Sequence, residues 1–298
     1  MVFGPDGKLY VATSAGAITR LDYTKAAGTT RTESIASGLS GLLGMTFVGN
    51  DLYVSHRGSV TKIPNATGTP GTHQQIVSGL PSGGHQNDTI AQGPDGLLYL
   101  PVGSTCNVCR ESDPLSATVV RFRLDGSNLE VFAKGLRNNF GIAFHPADGT
   151  LWGVDNGRDD LGENAPPEEL NLLVKDGNYG WPDCWGTNKG SNCQGTLPPV
   201  VELDPRSSAN VMIFYTGSQF PQNYKNDVFI TEYGAHARTS GMKVVRVKLT
   251  KNGNAYTGSS IDFATGFDRP LAIVQDPSGA LLIGDYGTGR IYRVRYGG

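Results

Sequence analysis

A tight turn followed by a Leu-Tyr-Val-like strand recurs from one end of this chain to the other, as GPDGKLYV, VGNDLYV, GPDGLLYL, PADGTLWG, YKNDVFI and DPSGALLI. The first apolar residue after each turn is Leu9, Leu52, Leu98, Leu151, Val228 and Leu281, at steps of 43, 46, 53, 77 and 53 residues. Four of the five steps sit near the roughly 40 to 50 residue period of a propeller blade, a four-stranded antiparallel sheet set radially round a channel. An Asp-Gly or Asn-Asp corner tolerates positive φ, and the alternation that follows buries one strand face. Several copies lead into a second strand with a basic residue, at Ala17–Leu21, Ser59–Ile63, Thr118–Phe122, Lys243–Val247 and Arg290–Val294. The pattern predicts an all-β, six-bladed β-propeller, each repeat supplying a strand pair.

Composition agrees: 41 Gly, 17 Pro and 17% charged residues describe a turn-rich β chain, with no long helical periodicity. Residues 1–298 are expected to form one propeller domain. A net charge of -2 gives no electrostatic case for nucleic acid, and no apolar run is long enough to span a bilayer. Seventeen residues follow Leu281 and nine lead up to and include Leu9, together roughly half a repeat. The closing blade is therefore expected to be incomplete at the N-terminus, with an upstream segment, including any export signal, outside this sequence.

The four cysteines fall in two close pairs, Cys106/Cys109 and Cys184/Cys193, in loops rich in Gly, Ser and Asn. Two local disulfides in a secreted or periplasmic protein is the preferred reading; a four-cysteine zinc site fits the spacing less well. Covalent haem attachment needs His after the second Cys, where this chain has Arg110.

The 77-residue step carries an excess of about 30 residues over a blade, including Asp155-Asn-Gly157-Arg158-Asp159-Asp160 and Pro166-Pro-Glu168-Glu169. Loops of that length in a compact domain are commonly functional, and oxygen-rich loops suit Ca²⁺, although a solvated acidic loop has the same composition. His85 stands in the glycine-rich loop Ser82–Asp88 just ahead of the third copy. A lone histidine is more often structural than catalytic, but a loop before a strand reaches the channel mouth. Arg137 and Arg269 precede the fourth and sixth copies and Arg238 lies within the fifth, so three guanidinium groups could converge on an anionic ligand, or each could form a surface ion pair. Asn65 and Asn87 match the N-glycosylation pattern, but a glycan at Asn87 would crowd His85.

Taken together, Gly84-His85 with the following GPDGLLY, Gly135-Leu-Arg137-Asn138, Glu169-Leu-Asn171 leading to Asn178-Tyr179-Gly-Trp-Pro182, and Arg269-Pro270 resemble the glucose/sorbosone dehydrogenase family. These are soluble six-bladed sugar dehydrogenases that use pyrroloquinoline quinone (PQQ). The stretch Gly103–Cys109 looks most like the sorbosone dehydrogenase side of the family. The resemblance implies a PQQ-dependent oxidation of an aldose or sugar aldehyde, with hydride passing to the quinone, His85 as general base and an external electron acceptor. It also implies quinone contacts from Arg137, Asn138, Arg238 and Arg269. A Ca²⁺ would be held by the carbonyls of Gly157 and Arg158, and a second, structural one by Glu169 and the Tyr179 carbonyl. Arg158 replaces the proline common in the family, which should weaken a cation site unless its side chain points away. Phe140 replaces an amide, and Tyr233–Arg238 is a loose match.

Two other functions compete. A calcium-dependent propeller lactonase would need acidic and amide side chains converging on one axial metal, whereas this chain offers arginines. A propeller without cofactor, binding carbohydrate or protein, would have little use for His85, Arg137 and Arg269.

Overall fold

The computed structural model of the protein describes residues 1–23, 31–234 and 240–297. Its strands group into six antiparallel sheets in chain order, with one short 3₁₀ turn at Gln222–Tyr224 and a two-stranded hairpin of Cys184–Trp185 and Lys189–Gly190 beside them. The chain is a six-bladed propeller. Blade one comprises Val2–Phe3, Leu9–Ala12, Ile18–Leu21 and Thr32–Ala36, and blade two Gly44–Val48, Asp51–His56, Ser59–Ile63 and Gln74–Val77. Blade three comprises Ala91–Gln92, Leu98–Val102, Thr118–Phe122 and Glu130–Lys134, and blade four Asn139–Phe144, Leu151–Asp155, Glu169–Leu173 and Val201–Glu202. Blade five holds Ala209–Phe214, Val228–Glu232, Lys243–Asn252 and Ala255–Ala264, and blade six Pro270–Gln275, Leu281–Asp285 and Arg290–Val294.

Every repeated apolar residue sits at or next to the start of the second strand of its blade, and the five basic strands are all third strands. The long step is resolved differently from a plain insertion. Glu169–Leu173 is the third strand of blade four, and Gly177–Asn178 pairs in parallel with Ala133–Lys134, stapling the excursion to blade three. Gly135, at φ 74°, makes that joint possible, since a Cβ there would lie 2.4 Å from Asn178 Oδ1.

The apolar core lies between neighbouring blades. Trp152, Val154 and Leu170 of blade four pack on Met212, Phe214, Val228 and Ile230 of blade five, and similar clusters join blades one to two, two to three, three to four and five to six. Blade six has three described strands. It meets blade one through Met1, which packs against Gly284, and through the Tyr23 hydroxyl, which donates to Asp276 Oδ2 at 2.7 Å.

Candidate functional site

In an antiparallel blade the first strand begins on the face where the second strand ends. The segments ahead of each first strand and those after each second strand therefore share one face of the ring. That face receives His85 and Gly103–Arg110 from blade three, Arg137, Asn138 and Asn156–Asp160 from blade four, Tyr233 and Gly234 from blade five, and Arg269 and Tyr286 from blade six. Arg238 and His236 lie outside the described residues.

His85 is held by one residue. Its Nδ1 is 2.8 Å from Ser104 Oγ and 3.0 Å from Ser104 O, while the His85 N–H donates to the same carbonyl at 3.0 Å. Burial, with the Arg137 charge adding to it, pushes the imidazole pKa down to about 4, against smaller upward pulls from the Ser104 carbonyl and Asp159. His85 is thus neutral at pH 7. Asn138 faces it across Gly103: a Cβ on that glycine would fall 2.6 Å from His85 Cβ and 3.1 Å from Asn138 Oδ1. Asn138 Oδ1 is buried without a hydrogen-bond partner among the described residues.

Arg137 is buried and occupied. Its guanidinium donates to Asn107 O (3.0 Å), Asn107 Oδ1 (2.7 Å), Asn156 O (3.2 Å) and Asp159 Oδ2 (3.0 Å). It ties the Cys106–Cys109 loop to the loop after Asp155, and each of its three nitrogens has an acceptor within the protein. Arg269 donates to Gly234 O at 2.9 Å and lies 5.0 Å from the ring of Tyr233, which in turn is 6.2 Å from the half-exposed ring of Tyr286.

Asp155 positions both residues that precede blade four, its carboxylate accepting from the Arg137 N–H at 3.0 Å and the Asn138 N–H at 2.7 Å. Asp285 does the same in blade six, accepting from the Asp268 and Arg269 N–H groups at 2.9 and 2.8 Å. Both acids stand four residues after the repeated apolar residue, as does buried Glu232 in blade five. The same position carries Thr13, His56 and Val102 in blades one to three, so the acid recurs only in blades four to six, a signal in the repeat that strand apolarity does not show.

Gly157, Arg158, Glu169 and Tyr179 all line one cavity of about 20 Å³, together with Asp155, Trp181 and Trp185. Asp155 and Glu169 are paired across neighbouring strands. Burial raises both carboxyl pKa values, and the Glu169 charge raises that of Asp155 further. Glu169 accepts from the Gly186 N–H at 2.6 Å and from Asn171 at 3.1 Å; Glu168 accepts from the Gly157 and Ser208 N–H groups, and burial lifts its pKa to about 7. The Arg158 guanidinium is engaged at the cavity wall: it donates to both oxygens of Asp160 at 2.7 and 2.6 Å and to Pro182 O at 3.2 Å, and lies over the Trp185 ring. Hard oxygen donors in a space of this size, with two carboxylates that burial disfavours as anions, fit a divalent cation such as Ca²⁺.

Beyond Arg158 opens a groove of about 510 Å³ lined by residues of both disulfide loops, including Arg110, Asp183 and Trp185. Cys106 pairs with Cys109 and Cys184 with Cys193 as disulfides, which leaves no thiolate for zinc. Asn87 is buried, its amide donating to Ser55, His56 and Ser59; Asn65 is exposed. No helix among the described residues is long and apolar enough to cross a membrane.

Residues 1–293 match the family profile described as Glucose / Sorbosone dehydrogenase. Among curated proteins, the chain is 27% identical over 295 residues to an uncharacterized protein of Borreliella burgdorferi, covering 88% of this chain and 78% of the other. It is 28% identical to the aldose sugar dehydrogenase YliI of Escherichia coli, over 68% of this chain and 60% of that one. With quinoprotein glucose dehydrogenase B of Acinetobacter calcoaceticus the identity is 26%, over 62% and 50%. The chain thus spans about half to three fifths of the length of these two named dehydrogenases. Of solved structures, a Trichoderma reesei carbohydrate-active enzyme of family AA12 superposes with a TM-score of 0.82 at 21% identity, covering 98% of this chain and 91% of that one. A glucose dehydrogenase superposes with a TM-score of 0.76 at 21% identity, covering 98% and 94%. These two likenesses are of fold.

Proposed function

Because the chain belongs to the glucose/sorbosone dehydrogenase family, we propose that it is a PQQ-dependent dehydrogenase oxidising an aldose or sugar aldehyde, with His85 as general base. The observation that carries the reading is the state of His85. It is a neutral imidazole with Nδ1 tied to Ser104, beside buried positive charge and across Gly103 from Asn138.

A bound quinone would supply the hydride acceptor for the sugar carbon and the route for electrons to an external carrier. The chain's own residues supply the rest. His85 Nε2 takes the hydroxyl proton as the C–H bond is lost, a step that suits an imidazole neutral at the working pH. Asn138, whose carbonyl oxygen is buried without a partner among the described residues, orients the cofactor or the hydroxyl beside it. Arg137 contributes charge from the second layer, and its guanidinium holds the loops on either side of the site. Arg269 serves as a cationic partner of the cofactor on the opposite side, and Arg238 is assigned the same role from the sequence resemblance alone. Gly157, Arg158, Glu169 and Tyr179 would hold Ca²⁺, which would supply a Lewis acid and a structural tie, and pairing with Asp160 offsets the Arg158 charge beside it. Export to the periplasm or beyond accords with the two disulfides.

The test is dye-linked oxidation of a panel of aldoses by protein preloaded with PQQ and Ca²⁺. Turnover that requires both is expected. Hydrolysis of a sugar lactone by protein without quinone, and no dye reduction with it, would favour the lactonase reading instead.

A further inference from the structure

The loop Gly103–Cys109 is more than a wall of the site. Ser104 Oγ has a single proton, and it donates that proton to Cys106 O at 2.8 Å. Toward His85 Nδ1 the hydroxyl can therefore only accept, and the second neighbour of Nδ1, Ser104 O at 3.0 Å, is a carbonyl that only accepts. Two acceptors require that Nδ1 carry the proton, which leaves Nε2 with its lone pair free. Cys106, whose carbonyl fixes the direction of the Ser104 hydroxyl, is closed to Cys109 in a four-residue disulfide ring. The same ring presents Asn107, which binds Arg137 through both its carbonyl and its side-chain oxygen and accepts from the Asp159 N–H at 2.9 Å. Thr105 is anchored in turn by Glu111, through its N–H at 2.8 Å and its hydroxyl at 2.6 Å. Arg137 and Asp159 are the charged groups felt by His85.

We propose that Ser104 and the Cys106–Cys109 ring form a positioning device that selects the Nδ1–H tautomer of His85 and seats Arg137. Ser104 acts through His85 and does not touch substrate. The ring's contribution is to deny the Cys106 carbonyl and Asn107 the freedom of an open loop, so that one short covalent closure fixes two groups of the site. The inference rests on the dehydrogenase reading for its catalytic meaning, but not for its structural content.

The two parts are separated by reading the imidazole directly. Long-range ¹H–¹⁵N NMR of protein free of cofactor, at pH 7, should show a protonated Nδ1 and a pyridine-type Nε2 for His85, assigned by loss of the signals in His85→Ala. In Ser104→Ala, and in Cys106→Ser/Cys109→Ser, the two nitrogen shifts should move toward each other as the second tautomer becomes populated, while the backbone spectrum elsewhere stays that of the folded protein. In the loaded enzyme Ser104→Ala should lower kcat about tenfold, the worth of one neutral hydrogen bond, with KM within about twofold. An Nε2–H tautomer in the wild-type chain, or tautomer signals unchanged in both variants, overturns the device. If the tautomer shifts as stated but neither protein oxidises sugar, the positioning holds and the dehydrogenase reading falls.

Discussion

At the scale of single residues, burial decides more than residue type. An imidazole in water titrates near pH 6.5, yet in the folded chain that of His85 is pushed down to about 4. A general base so placed loses activity only in strongly acid solution, so the acid limb of kcat/KM is expected near pH 4, measured with a substrate and dye that do not titrate there. The same shift bears on stability. Between the folded value of about 4 and the unfolded value near 6.5 the unfolded chain binds more protons, so stability falls as pH drops through that window. The loss attributable to His85 is at most about 3 kcal/mol. Denaturant titrations at pH 7 and pH 4 should accordingly show a larger fall for wild type than for His85→Ala, and equal falls would contradict the buried neutral state. His85→Ala should also lower kcat by roughly 10² to 10⁴ while leaving quinone uptake intact.

Legibility at this scale was uneven. The glycine-rich setting of His85 was readable because glycines permit close approach, as Gly103 shows. Arg137 is a site candidate in the sequence, but its hydrogen bonds were not legible there, because the acceptors come from Asn107, Asn156 and Asp159, whose proximity no local pattern encodes. Ser104 lies within the Gly103–Cys109 stretch that carries the family resemblance, but its own role was not legible, since a serine in a loop acquires meaning only from what its hydroxyl meets.

At the scale of elements, the repeated second strand supplies both core and site. Its apolar start packs between blades and its end, four residues on, reaches the functional face, where Asp155 and Asp285 each fix two backbone N–H groups of the neighbouring strand start. Alternation and turn chemistry made these strands legible. The third strand of blade four was hidden because Glu169 read as a metal ligand in a long loop and Asn171 as polar, although both are buried. The cavity between Asp155 and Glu169 predicts a metal dependence. Ca²⁺ at a hundred times its dissociation constant should stabilise the protein by about 2.7 kcal/mol, and chelation should reverse this. Glu169→Gln should lose the Ca²⁺ response while gaining stability in chelator, because a buried charge is removed; an undiminished response to Ca²⁺ in that variant would place the ion elsewhere. On the packing side, Trp152 is fully buried between blades four and five, with Tyr256 edge-on at 5.0 Å. Trp152→Ala should cost about 3 to 5 kcal/mol in a denaturant titration.

At the scale of the whole molecule, a ring of six blades brings together residues far apart in sequence. His85 precedes blade three and Arg269 precedes blade six, so the two stand on opposite sides of the axis. A ligand bridging them must lie across the channel mouth. The architecture was legible because the period survives in the turns even where strand composition varies. The convergence of loops on one face follows from antiparallel pairing alone. Ring closure was less legible: the contact of blade six with blade one uses Met1, Gly284, Tyr23 and Asp276, which belong to no repeated phrase. The central claim is that this face holds a quinone in working order, and titrating the protein with PQQ in the presence of Ca²⁺ tests it most directly. Saturable uptake at micromolar quinone, with a bound absorption spectrum that bleaches on adding an aldose, is the result expected; a quinone spectrum that remains that of the free cofactor at every concentration would contradict it.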